Sequence, residues 1–232
     1  MLQITWLGHG SFALRGGDGE TLLIDPWFDN PKFPKDFALE RVDGILVTHG
    51  HFDHIASVRA LAAQYSPAVV GIYEVAGWLE SKGVKNTIGM NKGGTVQVGS
   101  FSATMTHAMH SSSIADDDGR TVYAGEAAGY VIGMKDGRRA YFAGDTTVFG
   151  DMKLIAELYE PELAFLPIGD LYTMGPKEAA MACRMLGVKK VIPMHWGTFP
   201  PLTGRPEQLA ELIRDIPGTT VWPLEPGVPV TW

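Results

Sequence analysis

Thr48-His49-Gly50-His51-Phe52-Asp53-His54 is the stretch on which the reading of this chain turns. Three imidazoles and one carboxylate fall within six residues, a density that a packed core does not require. Neutral imidazole and carboxylate are the usual ligands of zinc and related first-row metals. The preceding Gly44-Ile45-Leu46-Val47-Thr48 is apolar and β-branched and predicts a buried strand over Gly44–Thr48. Beyond the cluster, Ile55, Val58, Leu61 and Ala62 share one helical face and predict a helix over Ile55–Gln64. The cluster is therefore expected on a loop at the carboxyl end of a strand, where ligand sites of α/β proteins collect. In extended backbone His49 and His51 project to one side. Asp53 and His54 then turn toward a second position at the helix start, so that one loop serves two adjacent metals.

Outward from the cluster, short apolar runs alternate with helical patterns. Strands are expected at Gln3–Leu7, Thr21–Asp25, Ala68–Ile72, Thr95–Val98, Ser102–Thr106, Tyr130–Met134, Ala140–Ala143, Leu163–Pro167, Val188–Pro193 and Thr219–Trp222. Asp136-Gly137 between two of these signals a hairpin, because such turns need positive φ at their centre. Helices are expected at Glu74–Ser81, Met152–Tyr159, Pro176–Leu186 and Pro206–Ile216, the last two opening on proline at the first helical position. One domain over residues 1–232, with two sheets inside flanking helices, is the simplest packing. Ligand-type residues recur just past the apolar strands: His107 and His110 after Ser102–Thr106, Asp145 after Ala140–Ala143, and His195 after the Val188–Pro193 strand.

Composition narrows the function classes. Nineteen basic against 26 acidic residues give a formal charge of −7, and no Lys/Arg run offers a nucleic-acid footprint. A single cysteine, Cys183, excludes an intrachain disulfide and fits a reducing compartment. The start Met1-Leu2-Gln3-Ile4 lacks a signal-peptide pattern, and no run is long and apolar enough for a membrane span, so a cytoplasmic location is expected. There is no G-x-S-x-G elbow, phosphate loop or dinucleotide fingerprint. Cys183, inside an expected helix, reads as a small buried residue.

The run His49-Gly50-His51-Phe52-Asp53-His54 resembles the H-x-H-x-D-H signature of the metallo-β-lactamase superfamily, and His110, Gly144-Asp145 and His195 follow in the order that superfamily uses. Leu23-Ile24-Asp25-Pro26 is similar to its early strand-and-turn motif. Gly8-His9-Gly10-Ser11, Phe165–Asp170, Thr173-Met174-Gly175-Pro176 and Pro193-Met194-His195 resemble a branch of small metal-dependent hydrolases related to L-ascorbate-6-phosphate lactonases. The resemblance implies an α/β fold, a four-layer αββα sandwich with metals at one edge of the sheets. It implies two divalent ions, usually zinc, with manganese, iron or nickel also found. His49, His51 and His110 would hold one, Asp53, His54 and His195 the other, and Asp145 would bridge them. His110 rather than His107 matches, since the branch places a histidine directly before a serine-rich stretch.

The resemblance further implies hydrolysis of a small ester, lactone or phosphoester. A water between two metals loses a proton near neutral pH and becomes the nucleophile. Asp53 would orient it or take its proton, and His9 and Ser111 would assist substrate or the developing oxyanion. Tyr172 and Thr173 are expected to wall the pocket. The expected partner is a small-molecule substrate, with no nucleic acid and no membrane. A nuclease of the same fold and a single-iron oxygenase are the alternatives. Asp145 as a bridging ligand is typical of the hydrolases rather than of the antibiotic-degrading enzymes.

Overall fold

The structure, a computed structural model, describes residues 1–232. In the first sheet β1 (Gln3–Trp6), β2 (Phe12–Arg15), β3 (Thr21–Ile24), β4 (Gly44–Leu46), β5 (Ala68–Ile72) and β6 (Thr87–Met90) lie side by side in chain order. The second sheet is built from β7 (Thr95–Val98), β8 (Phe101–His107), β11 (Ala128–Gly133), β12 (Arg139–Phe142), β13 (Leu163–Pro167), β14 (Lys190–Met194) and β15 (Thr220–Val221). A separate hairpin, β9 (Ser113–Ala115) with β10 (Thr121–Tyr123), interrupts it in sequence, and the last strand, β16 (Val230–Thr231), returns beside β1.

The two sheets are built alike, each passing from antiparallel to parallel pairing. β1, β2 and β3 pair antiparallel and β3 through β6 parallel. β8, β11 and β12 pair antiparallel and β12 through β15 parallel. It follows that β1, β3 and β4 share one direction in the first sheet, as do β8, β12 and β14 in the second. Each of the expected ligands and His9 follows one of these strands.

Side-chain alternation sorts the second sheet into two faces, as a period of two requires. Tyr130, Ile132, Phe142, Phe165 and Ile192 join the core shared with the first sheet. Their neighbours Val131, Tyr141, Ala164, Leu166 and Val191 join a second core against the helices α4 (Met152–Tyr159), α5 (Pro176–Leu186) and α6 (Pro206–Leu212). Phe12 packs edge-on against Phe142 and Phe165, and the buried Tyr130 hydroxyl donates to the Val47 carbonyl at 2.8 Å, tying the sheets together. The outer face of the first sheet is covered by α1 (Phe52–Ile55), α2 (Val58–Tyr65) and α3 (Tyr73–Ser81), whose Val58, Leu61, Val75 and Leu79 are buried. The layer order is αββα, as expected.

Several boundaries differ from expectation. The helix expected over Ile55–Gln64 is two pieces, and it begins three residues earlier, so Asp53 and His54 sit on its first turn rather than in a loop. The break falls at Ser57, whose N–H donates to Pro26 O and whose Oγ accepts from Phe28 N–H. The strand expected over Gly44–Thr48 leaves the ladder after Leu46, because Thr48 N–H donates to the Asp25 carboxylate. α6 ends at Leu212 rather than Ile216. Strands β2, β6, β9, β10 and β16 are two to four residues long and were not expected; Phe12-Ala13-Leu14 is apolar on both faces and shows no alternation. The Asp136-Gly137 hairpin joins β11 to β12, with Gly137 at φ +87°. No helix is long and apolar enough to cross a membrane.

Candidate metal centre

Strands running the same way bring their carboxyl ends to one edge of the sandwich, and the expected ligands meet there. His49 Nε2 lies 2.9 Å from His51 Nδ1, and His110 Nε2 lies 3.3 Å from the same atom. With metal–nitrogen bonds of about 2.0–2.1 Å, nitrogens around a tetrahedral ion stand roughly 3.3 Å apart, so this triad has the spacing of one ion's ligands. Beside it, Asp53 Oδ2 is 3.7 Å from both His54 Nε2 and His195 Nε2, a second set of suitable size. Asp145 stands between the two. Its Oδ2 is 3.0 Å from His195 Nε2, 3.3 Å from His54 Nε2, 3.7 Å from His110 Nε2 and 4.0 Å from His49 Nε2.

The donors are prepared from behind. The Thr48 hydroxyl donates to Asp25 Oδ2 at 2.6 Å and so accepts from His49 Nδ1–H at 3.0 Å. That assigns the proton of His49 to Nδ1 and leaves Nε2 with a free lone pair. His54 Nδ1–H likewise donates to Asp25 Oδ2 at 2.8 Å and turns Nε2 inward. A carboxylate behind a ligating imidazole fixes its ring and raises its basicity. Both Asp25 oxygens are thereby engaged, which makes Asp25 a support rather than a ligand, although it lies within ligand distance of His49 and His54.

Local backbone follows from these demands. Gly50 separates the two histidines because a Cβ there would lie 2.6 Å from Ile114 Cγ1 and 2.7 Å from Ala124 Cβ. Gly144, before Asp145, has φ +64°, and a Cβ would meet the Ala128 carbonyl at 2.6 Å. His9, Asp25 and His195 are themselves left-handed, at φ +53°, +46° and +55°. Such conformations cost energy for non-glycine residues and persist where surrounding contacts over-determine them. Here the His9 carbonyl accepts both from Trp6 Nε1–H at 2.9 Å and from His195 N–H at 3.1 Å.

Electrostatics mark the centre as a site for positive charge. Burial pushes the His54 imidazole down, but Asp145, Asp53 and Asp25 together hold it well above its ordinary value. His195 is raised to about 9 against its burial, chiefly by Asp145. Burial pushes Asp145 up, but the His195 and His54 imidazoles hold it well below the usual carboxylate range. Burial drives His49 well below the usual imidazole range. Without metal, protons on His54 and His195 thus neutralise the carboxylates. Buried His54 Nε2, His195 Nε2 and Asp145 Oδ1 nevertheless have no hydrogen-bond partner, which buried polar atoms seldom tolerate. This donor set, nitrogen and carboxylate oxygen with unsatisfied atoms facing inward, fits divalent first-row metals.

The remaining expected residues divide. Ser111 and Tyr172 line a cavity of about 680 Å³ over the cluster. Thr173 does not; its hydroxyl donates to Met174 O. His9 does not line it either. His9 is fully buried behind Asp53, Nε2–H donating to Asp53 Oδ2 at 2.9 Å and Nδ1 accepting from Thr198 Oγ1 at 2.9 Å. Burial, reinforced by His195, lowers its pKa to about 4, so this ring is neutral and steadies Asp53 rather than reaching substrate. His107 stays apart at the end of β8, beside Lys92 Nζ at 3.0 Å. Asp25, Thr48 and Thr198 were not assigned roles from sequence. Asp25 alone carried a signal, in the strand-end run Leu23-Ile24-Asp25-Pro26. Ser112 rather than Ser111 serves the loop, accepting from Gly50 N–H and donating to Ala124 O.

Residues 20–196 match the β-lactamase superfamily domain. The chain belongs to the metallo-β-lactamase superfamily. A UPF0173 metal-dependent hydrolase of Solibacter usitatus is 60% identical over 232 residues, the full length of both chains. Igni18, a metallo hydrolase of Ignicoccus hospitalis, superposes with a TM-score of 0.87 at 33% identity, covering 100% of this chain and 98% of that one. An isothiocyanate hydrolase from Delia radicum gut bacteria shares the metallo-β-lactamase fold at a TM-score of 0.73 and 19% identity, over 99% and 98% of the two chains. As a member of the superfamily with such relatives, the chain is a metal-dependent hydrolase.

Proposed function

We propose that the protein hydrolyses a small ester, lactone or phosphoester at a dinuclear centre. His49, His51 and His110 would hold one metal, Asp53, His54 and His195 the other, with Asp145 shared. The observation that carries this reading is the position of Asp145 Oδ2, within 4.0 Å of imidazole nitrogens from both triads. When bound, the metals, most readily zinc, would supply a water acidified toward neutrality and polarise a carbonyl or phosphoryl oxygen.

The chain's own groups have separate tasks. Asp25 holds the His54 ring, and Thr48 selects the His49 tautomer. Asp53 is the more exposed of the two acidic side chains at the cavity floor, with 13% of it exposed against 3% for Asp145. Burial raises the Asp53 pKa, but the His54 imidazole, the His195 ring at 3.7 Å and the hydrogen bond from His9 outweigh that and keep it ionised. It orients a water proton by accepting it in a hydrogen bond. His9 keeps Asp53 in place with a neutral N–H. Ser111, Ser113 and Tyr172 all line the cavity and offer hydroxyl donors to an oxyanion.

The test is turnover of aryl ester, lactone, phosphodiester and thioester substrates by zinc- and manganese-loaded protein. Hydrolysis that disappears with chelator and with Asp145→Ala is expected. Full turnover by the chelated, metal-free protein would contradict the reading.

A further inference from the structure

The cavity over the histidines has a chemistry of its own, distinct from that of the metal centre below it. One wall is aromatic. The Phe52 ring meets Trp27 edge-on at 5.4 Å between centroids, and Trp27 stacks on Phe199 at 5.8 Å and 28°. Pro200 and Pro201 extend this surface, and Tyr172 also lines the space. Phe52 is 59% and Tyr172 55% exposed, so large apolar area is left open to the cavity and to water. Scattered exposed apolar residues need no explanation, but a contiguous set within a cleft marks a binding surface.

The cavity also lacks a cation. No lysine or arginine lines it, and its acidic groups, Asp53 and Asp145, belong to the centre. The Lys32 ammonium is held 4.0 Å over the Trp196 ring, against a residue outside the lining. A phosphate or carboxylate on a part of the substrate remote from the centre would lose water here without gaining a counter-charge. An apolar group would gain by covering the aromatic wall.

We propose that the substrate, apart from its reacting centre, is uncharged and apolar, with an aromatic or branched aliphatic group seated on Phe52, Phe199 and Tyr172. Anionic substituents away from the scissile bond are selected against, which places phosphorylated lactones outside the substrate range. The inference rests on the hydrolytic reading above, in which water adds to the acyl or phosphoryl centre and the ester oxygen leaves with a proton.

Two aryl esters with one leaving group and acyl chains of matched length separate the cases. One chain ends in phenyl (3-phenylpropionate) and the other in a carboxylate (hydrogen succinate). Metal-loaded protein is expected to favour the phenyl-ended ester by at least about tenfold in kcat/KM, mostly through KM, as a hydrophobic pocket can. Phe199→Ser and Tyr172→Ser, each checked for metal content and melting temperature, are expected to shrink that preference several-fold. Equal rates, a preference for the carboxylate, or a preference unmoved by both substitutions would overturn the inference. The corresponding ketones, which cannot be hydrolysed, give a second reading by calorimetry on the same metal-loaded protein. Turnover of neither ester would count against hydrolysis of acyl substrates alone. Tighter binding of the phenyl-ended ketone by about tenfold would then still support the apolar site, and equal binding would overturn it.

Discussion

The His54 imidazole is held between two carboxylates, Nδ1 at 2.8 Å from Asp25 Oδ2 and Nε2 at 3.3 Å from Asp145 Oδ2. One ring therefore connects Asp145, the proposed bridge, to a buried support outside the cavity over the cluster. Asp25 also receives Thr48 N–H and Thr48 Oγ1–H, so the same support sets the His49 tautomer. Both triads depend on it.

Asp25→Asn should lower metal affinity about 10- to 100-fold, the usual cost of losing a carboxylate behind a ligating histidine. Competition with a chromophoric chelator measures it. Affinity equal to the parent would show that the Asp25 carboxylate is not needed to hold His54.

His9→Ala should weaken the Asp53 site and lower kcat, while His9→Gln, which keeps an N–H donor near Asp53, should recover part of both. Because the His9 pKa is about 4, no ionisation of this ring belongs between pH 5 and 9. The pH profile of turnover in that range should keep its shape in the variants. A limb that vanishes with His9 would assign it a proton-transfer role instead.

Metal binding should release protons. In the metal-free protein His195, at about 9, and His54, held well above its ordinary value, are both protonated at pH 7. Loading both metals should expel about two protons from them, so apparent affinity should rise with pH, the His195 part of that rise ending at about 9. Calorimetry in buffers of different ionisation enthalpy reads the number directly. The same raised pKa values stabilise the metal-free fold below pH 6.5. That contribution of His195 is lost as pH rises through about 9. Melting temperature without metal should fall over this interval and should fall less with metal bound.

Gly50→Ala should destabilise the protein by about 1–3 kcal/mol, the range for overpacking, and lower metal affinity as well. Its Cβ would overlap Ile114 and Ala124, and relief would move the loop that carries His49 and His51. Thermal unfolding with and without metal separates the two effects.

The clustering of the candidate ligands was readable in the sequence where they are neighbours in the chain, as in His49, His51, Asp53 and His54. It was readable elsewhere because His110, Asp145 and His195 each follow an apolar strand. The groups behind them were not. Thr198 meets His9, and Asp25 meets His54, only after remote strands pack. Tyr172 and Thr173 look equivalent in sequence. Left-handed turns at Asp170 and Leu171, φ +71° and +54°, precede them, and only Tyr172 lines the cavity. The broken first helix has the same origin, since Ser57 spends its N–H on Pro26 O, a contact no local pattern records.

Metal stoichiometry tests most directly the proposal that two ions share Asp145. Protein loaded with manganese, freed of excess and examined for metal per chain and for spin coupling, is expected to hold two coupled ions, and Asp145→Ala one ion or none, without coupling. One ion per chain in the parent, or two ions retained and still coupled in Asp145→Ala, would contradict a dinuclear centre bridged by Asp145.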